Sequence, residues 1–187
     1  GIFLSQEKIT HNINDSIFIG ELALDGNLRH TNGILPLAIY AAQAGYKKIF
    51  VPSINAAEAS LISDIEVYPV ENFLQITDHL KGKKLIEKNK PIPIEKWFEY
   101  AETEMDMAYI KGQEFVKRAL EIAASGAHNI LLSGPPGSGK TLLARTLPSI
   151  LPKMTNKEAI EVTKIYSVAG LLPKDKPIIN TRPFRSP

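Results

Sequence analysis

The chain has 187 residues, of which 44% are hydrophobic and 22% charged, a balance that is typical of globular proteins and excludes disordered and fibrous classes. Because 22 Lys plus Arg oppose 20 Asp plus Glu, the net charge is only +2 and does not by itself indicate a nucleic-acid partner. There is no cysteine, which excludes disulfides and thiol chemistry. No apolar run approaches the roughly 20 residues that span a bilayer. We therefore expect a cytoplasmic protein without membrane contact, and a fragment, since it lacks an initial Met and ends in a loop-like stretch.

The first part of the chain alternates strand-like and helix-like segments. Glycines and an Asp-Gly pair punctuate the pattern, with Asp25-Gly26 as a turn and Gly45 as a helix end. Alternating strands and helices favour an α/β layer. The predicted elements are a strand over 16–24, a helix over 34–44, a strand over 48–51, a helix over 56–62, a strand over 65–70 and a helix over 73–80.

A linker is predicted after this layer. Residues 81–96 hold six Lys and two Pro but few large side chains, a composition typical of segments between two cores. An acidic helical stretch follows, in which Trp97 and Phe98 form an aromatic edge and the charges favour a solvated face over a binding site. We therefore predict three regions, namely a domain over 1–82, a linker with an acidic helix over 83–107, and a second domain over 108–187.

The second domain is predicted to hold three helices and one buried strand. The first helix, 113–125, would end at Gly126. A buried strand is predicted over 128–132, then a helix from 139 to 147 before Pro148. The last helix, 155–166, would begin with a capping box. Apolar spacing places Phe115, Val116, Leu120 and Ile122 inward on the first helix, and Thr155 and Glu158 form the capping box of the last.

Residues 134–141 read Gly-Pro-Pro-Gly-Ser-Gly-Lys-Thr and fit the pattern G-x-x-x-x-G-K-[ST] between a predicted strand and a predicted helix. The glycines let the backbone curl so that its N–H groups point inward at a helix N-terminus, which favours a polyphosphate such as ATP. Lys140 would bridge the β- and γ-phosphates and is the candidate catalytic residue; the Thr141 hydroxyl would bind Mg²⁺. The candidate binding residues are Gly134, Pro135, Pro136, Gly137, Ser138, Gly139, Lys140, Thr141 and Leu142.

Hydrolysis needs more than this loop. Phosphoryl transfer also requires a second carboxylate near Mg²⁺ and a group that orients water. The acidic residues downstream are Glu158, Glu161 and Asp175, and none ends an apolar strand, so surface charge is the preferred interpretation. The four histidines lie far apart in sequence and indicate no metal site. We therefore expect this chain to bind nucleotide and to hydrolyse it poorly.

Five short sequence segments, taken in their order along the chain, resemble those of a known protein family. Together they resemble the Mg-chelatase-like AAA+ family, the YifB/ComM group, over nearly the whole chain. This resemblance implies a P-loop α/β/α core, and it implies that Tyr109, Ile110 and Gly112 pack against adenine. The segments are Ile-Lys-Gly-Gln-Glu at 110–114, Lys-Arg-Ala-Leu-Glu-Ile-Ala-Ala at 117–124, the loop at 134–141, Ser-Val-Ala-Gly-Leu-Leu at 167–172 and Arg-Pro-Phe-Arg at 182–185.

The resemblance also implies an assembly and an activity for the full-length protein. It implies a ring, a homo-hexamer, in which nucleotide lies between subunits and a neighbour supplies an arginine finger. For the ComM branch it implies a DNA motor that drives branch migration during recombination in natural transformation. Two alternatives stay open: an ATPase subunit of a magnesium chelatase, and a regulatory module that uses nucleotide as a switch.

The end of the chain is locally basic. From Lys140 onward nine Lys plus Arg oppose three Asp plus Glu, a balance of +6 that suits a phosphate backbone. Phe184 between Arg182 and Arg185 could stack on a base, as aromatic and guanidinium groups do in single-strand grooves. A solvated basic surface, with this segment folded back on the ring, remains the alternative.

The first domain resembles part of another family. Residues 20–26 and 33–45 are similar to the C-terminal portion of the Lon-type proteolytic domain, which uses a Ser-Lys dyad. The alignment places Leu35 where the Lon-like lysine would be, and Leu cannot activate a hydroxyl. We therefore expect a Lon-protease-like domain that lacks a catalytic dyad and serves as a structural or partner-binding module.

Overall fold

The computed structural model describes residues 13–91, 93–98, 105–173 and 175–184. Their contacts divide the chain into two compact units, one of residues 1–97 with 160–179 and the other of residues 98–159 with 180–187. The division at residues 97 and 98 falls within the region 83–107 that was predicted to hold a linker and an acidic helix, and the predicted domain boundaries stay a prediction. The predicted mixed α/β class, with a parallel sheet and helices, is confirmed.

The elements of the first unit up to residue 80 are β1 (Ser16–Phe18), β2 (Glu21–Leu22), β3 (Leu28–Arg29), α1 (Ile34–Gln43), β4 (Lys48–Pro52), α2 (Ala56–Ala59), β5 (Glu66–Val70) and α3 (Phe73–Leu80). Three of the strands form a parallel sheet of order β1-β4-β5, and β2 and β3 form a separate hairpin.

Central strand β4 separates two apolar clusters. Ile49 and Val51 face one cluster, which α1 and α2 complete, and Phe50 faces the other with Val70 and Ile86. This alternation is the period-two pattern of a strand buried on both faces.

Two sequence predictions in this unit were wrong in extent. The predicted strand over 16–24 is broken at Gly20, because β1 pairs with β4 whereas β2 turns back to pair with β3. A Cβ at Gly20 would lie 3.3 Å from Leu28 Cδ2, so a larger residue at the bend would require the Leu28 side chain to shift slightly. Helix α2 stops at Ala59 rather than 62, because the next amides, from Leu61 and Ile62, bond three residues back and tighten the turn.

Three aromatic rings form a ladder across the parallel strands. Phe18, Phe50 and Tyr68 occupy the same register, with neighbouring ring centroids 4.6 and 4.9 Å apart. The Tyr68 hydroxyl donates to Glu66 Oε2 over 3.0 Å. Burial, followed by this bond to Glu66, raises the pKa of Tyr68 to about 12.

A pH titration should detect this tyrosine. The folded protein favours the neutral phenol, so its stabilising contribution is present below the ordinary pKa of 10.0 and is lost as pH rises toward about 12. We expect an ultraviolet phenolate titration to show one tyrosine ionising about two units above the ordinary value, and Tyr68→Phe to remove that late step. A late step that persists in Tyr68→Phe would contradict the assignment.

The second unit packs two helices over a small core. After α4 (Ile94–Phe98) come a 3-10 turn (Met107–Tyr109), α5 (Glu114–Gly126) and α6 (Lys140–Ile150). Met107, Leu120 and Leu143 are buried together, and the side chains packed around them are Ile110, Val116, Ile130, Leu132, Leu147 and Ile150. Helix α7 (Asn156–Val168) follows; residues 156–159 belong to the second unit and residues 160–168 to the first. No helix in the described part of the chain combines the length and apolarity that crossing a bilayer requires.

The orientation of α5 differs from the prediction. Val116 and Leu120 do face the core, but Phe115 is 88% exposed and Ile122 is 53% exposed. The core contacts only one side of the helix, the side that also holds Ala123 and Ala124. Phe115 and Ile122 lie outside that stripe, so the predicted apolar face was too wide.

The predicted buried strand over 128–132 is also wrong among the described residues. The segment is extended, but no neighbouring strand in the described part of the chain pairs with it. Its side chains alternate, because Ile130 and Leu132 pack on the core whereas Leu131 is 90% exposed. A segment is a central strand only if neighbouring strands form hydrogen bonds with it, and the apolar pattern of the segment itself does not show whether such neighbours exist.

Helix α6 continues past the predicted stop at Pro148 and ends at Ile150. Proline removes the amide that would otherwise donate to the Ala144 carbonyl, yet the helix runs two residues beyond it. Ser149 Oγ donates to Thr146 O, so a side chain supplies one bond in this turn. The capping box at the start of α7 is present: Glu158 N donates to Thr155 Oγ1, and Thr155 N donates to Glu158 Oε2.

The C-terminal end of α5 uses an alanine where a glycine is expected. Gly126 is the last helical residue, and Ala127 takes the left-handed conformation with φ 51°. An added Cβ at Gly126 would clash with the His128 ring, so a larger residue there would force that ring to move. The sequence prediction therefore placed the cap one residue too early.

Ala127→Gly should stabilise the second unit. A left-handed residue with a Cβ costs about 1–2 kcal/mol, and glycine removes that cost while adding some chain entropy to the unfolded state. We expect the free energy of unfolding to rise by about 0.5–1 kcal/mol in chemical denaturation. Ala119→Gly, inside the same helix, is the control and should lower stability by about 1 kcal/mol. A loss of stability in Ala127→Gly would contradict the observed cap.

Candidate nucleotide-binding site

The loop at 134–141 lies directly before α6, in the second unit. Gly137 and Gly139 have φ of 79° and 81°, and an added Cβ would meet no atom within 4 Å at either position. Backbone conformation rather than space is therefore what requires glycine there. Gly134 differs, because its Cβ would lie 3.3 Å from Ser138 Oγ. The three predicted glycines thus serve two different purposes.

Lys140 folds back over the loop. Its ammonium donates to Gly134 O over 2.9 Å, to Pro135 O over 2.6 Å and to Ser138 Oγ over 3.2 Å. A cation is thus held by neutral acceptors at the N-terminus of α6, where the helix dipole favours an anion. Lys140 is therefore placed where an anion at this helix start would meet it.

The chemistry of the other loop residues fits a phosphate group and its metal. Pro135, Pro136 and Thr141 are exposed, and Leu142 is 43% exposed. The Thr141 hydroxyl in the first turn of α6 is an oxygen ligand of the type Mg²⁺ takes alongside phosphate oxygens. The described residues contain no group of three or more His, Cys, Asp or Glu that could hold a metal ion.

A cavity of about 380 Å³ adjoins the loop. It extends from Lys140 and Ser138 to the start of α5, where Gln113 adopts a left-handed conformation with φ 59°. Sequence reasoning missed its α5 residues because it placed Phe115 in the core. The lining residues from α5 and its start are Gln113, Phe115, Val116 and Ala119.

The predicted adenine contacts lie elsewhere in this unit. Tyr109 is 81% exposed, Ile110 packs beside the core of Met107, Leu120 and Leu143, and Gly112 has φ 69° with open space around it. None of the three lines the cavity. Their contact with adenine stays a prediction.

Two of the three acidic residues that follow Thr141 have other partners. Glu158 accepts from Thr155 and pairs with Arg182 over 3.2 Å, and Glu161 pairs with Lys164 over 3.1 Å. The Thr155 bonds, more than Arg182, hold the pKa of Glu158 below its usual range. Asp175 is exposed. These observations agree with structural or surface roles.

The candidate DNA-contacting residues Arg182 and Phe184 differ in how far their side chains are already bound within the chain. Arg182 Nε donates to Pro152 O over 2.8 Å, and its Nη2 bonds Glu158, so its guanidinium is tied to the chain. Phe184 is partly exposed, at 42%. Arg185 lies outside the described residues.

Two family models match this chain, one in its C-terminal part and one in its N-terminal part. The family model "Magnesium chelatase, subunit ChlI" matches residues 106–187, and "Subunit ChlI of Mg-chelatase" matches residues 1–55. Competence protein ComM of Haemophilus influenzae is 41% identical over 173 residues, 91% of this chain and 33% of that protein.

Two further relatives extend the match. Protein YifB of Escherichia coli is 36% identical over 188 residues, covering 100% of this chain and 36% of that protein. An uncharacterized protein of Mycobacterium tuberculosis is 39% identical over 182 residues, 97% of this chain and 35% of that protein. The chain thus spans about a third of the length of these relatives. It belongs to the magnesium-chelatase-like ChlI family that includes ComM and YifB.

Proposed function

We propose that this chain binds ATP with Mg²⁺ at residues 134–141. The observation that carries the proposal is the Lys140 ammonium, which is held on loop carbonyls at the N-terminus of α6. Carbonyl oxygens are weaker partners for a cation than phosphate oxygens, so Lys140 can exchange one set for the other. The membership of the chain in a magnesium-chelatase-like family supports the same ligand.

Each part of the loop has one task in this proposal. The positive-φ glycines keep the backbone N–H groups free to bind phosphate, and Lys140 neutralises its charge. Thr141 contributes one oxygen to Mg²⁺, and Mg²⁺ when bound neutralises charge on the phosphates. Among the described residues after Thr141, Glu158 and Glu161 form ion pairs and Asp175 is exposed. The proposed activity of this chain is therefore ATP binding without efficient ATP hydrolysis.

For the full-length protein we propose an ATP-driven DNA motor, active as a homo-hexamer in the cytoplasm. The word "competence" in the name of the ComM relative supports a role in DNA uptake or recombination. The +6 balance from Lys140 onward suits a phosphate backbone. Since Arg182 is tied to Glu158, Phe184 and Arg185 are the better candidates for contact with DNA.

The chelatase alternative has one observation in its favour. Both matching family models are named for a magnesium chelatase subunit. An ATPase subunit of that kind would work with a metal- and porphyrin-handling partner and should not respond to DNA. A nucleotide-dependent regulatory module would bind ATP without either response.

The first unit is proposed to be a Lon-protease-like module without peptidase activity. Leu35, at the position of the Lon-like lysine, is fully buried at the start of α1. A lysine at such a position would bury its charge, and a leucine supplies no base. The unit is therefore proposed to support structure or partner binding.

Steady-state ATPase of the full-length protein tests these functions, with and without four-way DNA and with Lys140→Ala as the blank. Lys140-dependent hydrolysis that branched DNA stimulates supports the motor. Lys140-dependent hydrolysis that is indifferent to DNA would replace the motor with the chelatase alternative. Binding of Mg-ATP with no hydrolysis would leave only the regulatory module.

A further inference from the structure

The cavity beside the loop joins two kinds of side chain, all within the second unit. Lys140 lines it from the loop, whereas Phe115, Val116 and Ala119 line it from α5. Among the described residues that line it there is no Asp or Glu, and Lys140 is the only charged side chain. This composition fits a ligand that carries a negative charge on one part and an apolar surface on another.

The α5 side of the cavity is an exposed apolar surface. Phe115 is 88% exposed, and residues 115, 116 and 119 lie on one side of the helix because their spacings are one and four. Leu131, which is 90% exposed, lines the same cavity from the extended segment before the loop. A ligand that enters the cavity would cover these side chains, and covering apolar surface is favourable.

The backbone at the start of α5 is strained beside this cavity. Gly112 has φ 69°, and Gln113 has φ 59° although it carries a Cβ. Such a conformation is uncommon for a residue other than glycine, and strain of this kind is found preferentially at ligand sites. Gln113 itself lines the cavity, and Phe115 follows two residues later. The strained turn therefore leads directly into the exposed aromatic residue.

The size and position of the cavity suit a nucleobase. Its volume of about 380 Å³ lies within the range of about 300–1,000 Å³ that small-ligand pockets occupy. A single ribose joins the base of a nucleotide to its phosphates, so the base must lie close to the groups that bind phosphate. Lys140 and Phe115 line one cavity, whereas Tyr109, Ile110 and Gly112 do not line it.

We propose that this cavity binds the nucleobase of the nucleotide and that the Phe115 ring stacks on that base. This inference rests on the proposed ATP binding and names the residues that hold the base at the same site. Nucleobases stack on exposed aromatic side chains largely independently of sequence, because every base has a flat aromatic face. Phe115 therefore contributes to the affinity for ATP but not to the affinity for a polyphosphate without a base.

Isothermal titration calorimetry of the full chain with Mg-ATP and with Mg-tripolyphosphate measures this difference. Phe115→Ala should weaken Mg-ATP binding about tenfold, in the lower part of the range for base–aromatic stacking. Its Mg-tripolyphosphate affinity should stay within about twofold, because the side chain is exposed and its removal leaves the loop intact. Phe115→Tyr keeps an aromatic ring and should bind Mg-ATP within about twofold of the unmodified chain.

Ile122→Ala is the matched control. Ile122 is an apolar residue on the same helix and is 53% exposed, but it does not line the cavity. This variant should keep both affinities within about twofold of the unmodified chain. Equal losses of Mg-ATP affinity in Ile122→Ala and Phe115→Ala would overturn the proposal, as would equal losses for the two ligands in Phe115→Ala.

Photolabelling with 8-azido-ATP locates the base directly, because the reactive group is attached to the base. Trypsin cleaves after lysine, so Phe115 and Tyr109 fall on different peptides, residues 112–117 and residues 97–111. We expect labelling of residues 112–117 that excess Mg-ATP prevents. Labelling of residues 97–111 alone would overturn the proposal and would place the base near Tyr109.

Two outcomes separate this inference from the proposed function. Mg-ATP binding that is the same in Phe115→Ala and in the unmodified chain would overturn the base site and leave ATP binding intact. No binding of Mg-ATP or of Mg-tripolyphosphate to the unmodified chain would overturn both. Because both ligands are titrated into the same proteins, the two failures are distinguishable.

Discussion

Lys140→Ala is expected to weaken Mg-ATP binding by about one to two orders of magnitude, because charge-assisted hydrogen bonds contribute about 1.5–3 kcal/mol. The three bonds that Lys140 makes within the loop would also be lost. These bonds lie at or near the surface, so the free energy of unfolding should change by less than about 1 kcal/mol. Fluorescent-ATP titration and chemical denaturation of the same sample check both expectations.

Lys153→Ala is the charge-matched control for this variant. Lys153 is exposed in the same unit, and removing it changes the net charge by the same amount. Its Mg-ATP affinity should match that of the unmodified chain. If Lys140→Ala bound Mg-ATP as tightly as Lys153→Ala does, the loop at 134–141 would not be the nucleotide site.

Leu120→Ala is expected to lower the free energy of unfolding of the second unit by about 3 kcal/mol, the middle of the range for buried leucines. Leu120 is fully buried between Met107 and Leu143. Its truncation removes apolar contacts and leaves a cavity among side chains from three elements. Chemical denaturation followed by circular dichroism measures the change.

Leu131→Ala is the matched control, because it makes the same substitution at an exposed leucine instead of a buried one. Leu131 is 90% exposed in the extended segment before the loop, so its truncation should change stability by less than about 0.5 kcal/mol. The apolar pattern of the sequence predicts that both leucines lie in the core. Equal losses in the two variants would show that Leu131 is buried and that the extended segment has partners.

Much of the first unit, and the positive φ of two glycines in the loop at 134–141, could be predicted from local patterns. Helix α3 begins at Phe73 and ends at Leu80 as predicted, because Asn72 caps it and its apolar spacing is regular. The mixed α/β class followed from the alternation of elements. The positive φ of Gly137 and Gly139 followed from the loop motif, since few other residues adopt that conformation readily.

Features that depend on distant partners could not be predicted. The pattern of α5 showed apolar residues but not which side another element would cover, so Phe115 was placed inward and the cavity beside the loop was missed. The extended segment 128–132 looked like a strand, yet no described residues supply the ladder. Likewise, nothing local linked Arg182 to Glu158, 24 residues away.

The sequence by itself determined the capping box of α7, the turn at Gly26 and the positive φ of Gly137 and Gly139, because each depends on residues within about four positions of one another. Only the tertiary structure decided that Glu58 accepts from Leu35 and Ser167, or that residues 160–179 belong with the first unit. Burying a carboxylate is favourable only when donors from several segments meet around it. Such a meeting is a property of the packed chain, and it leaves no periodic signal in the sequence.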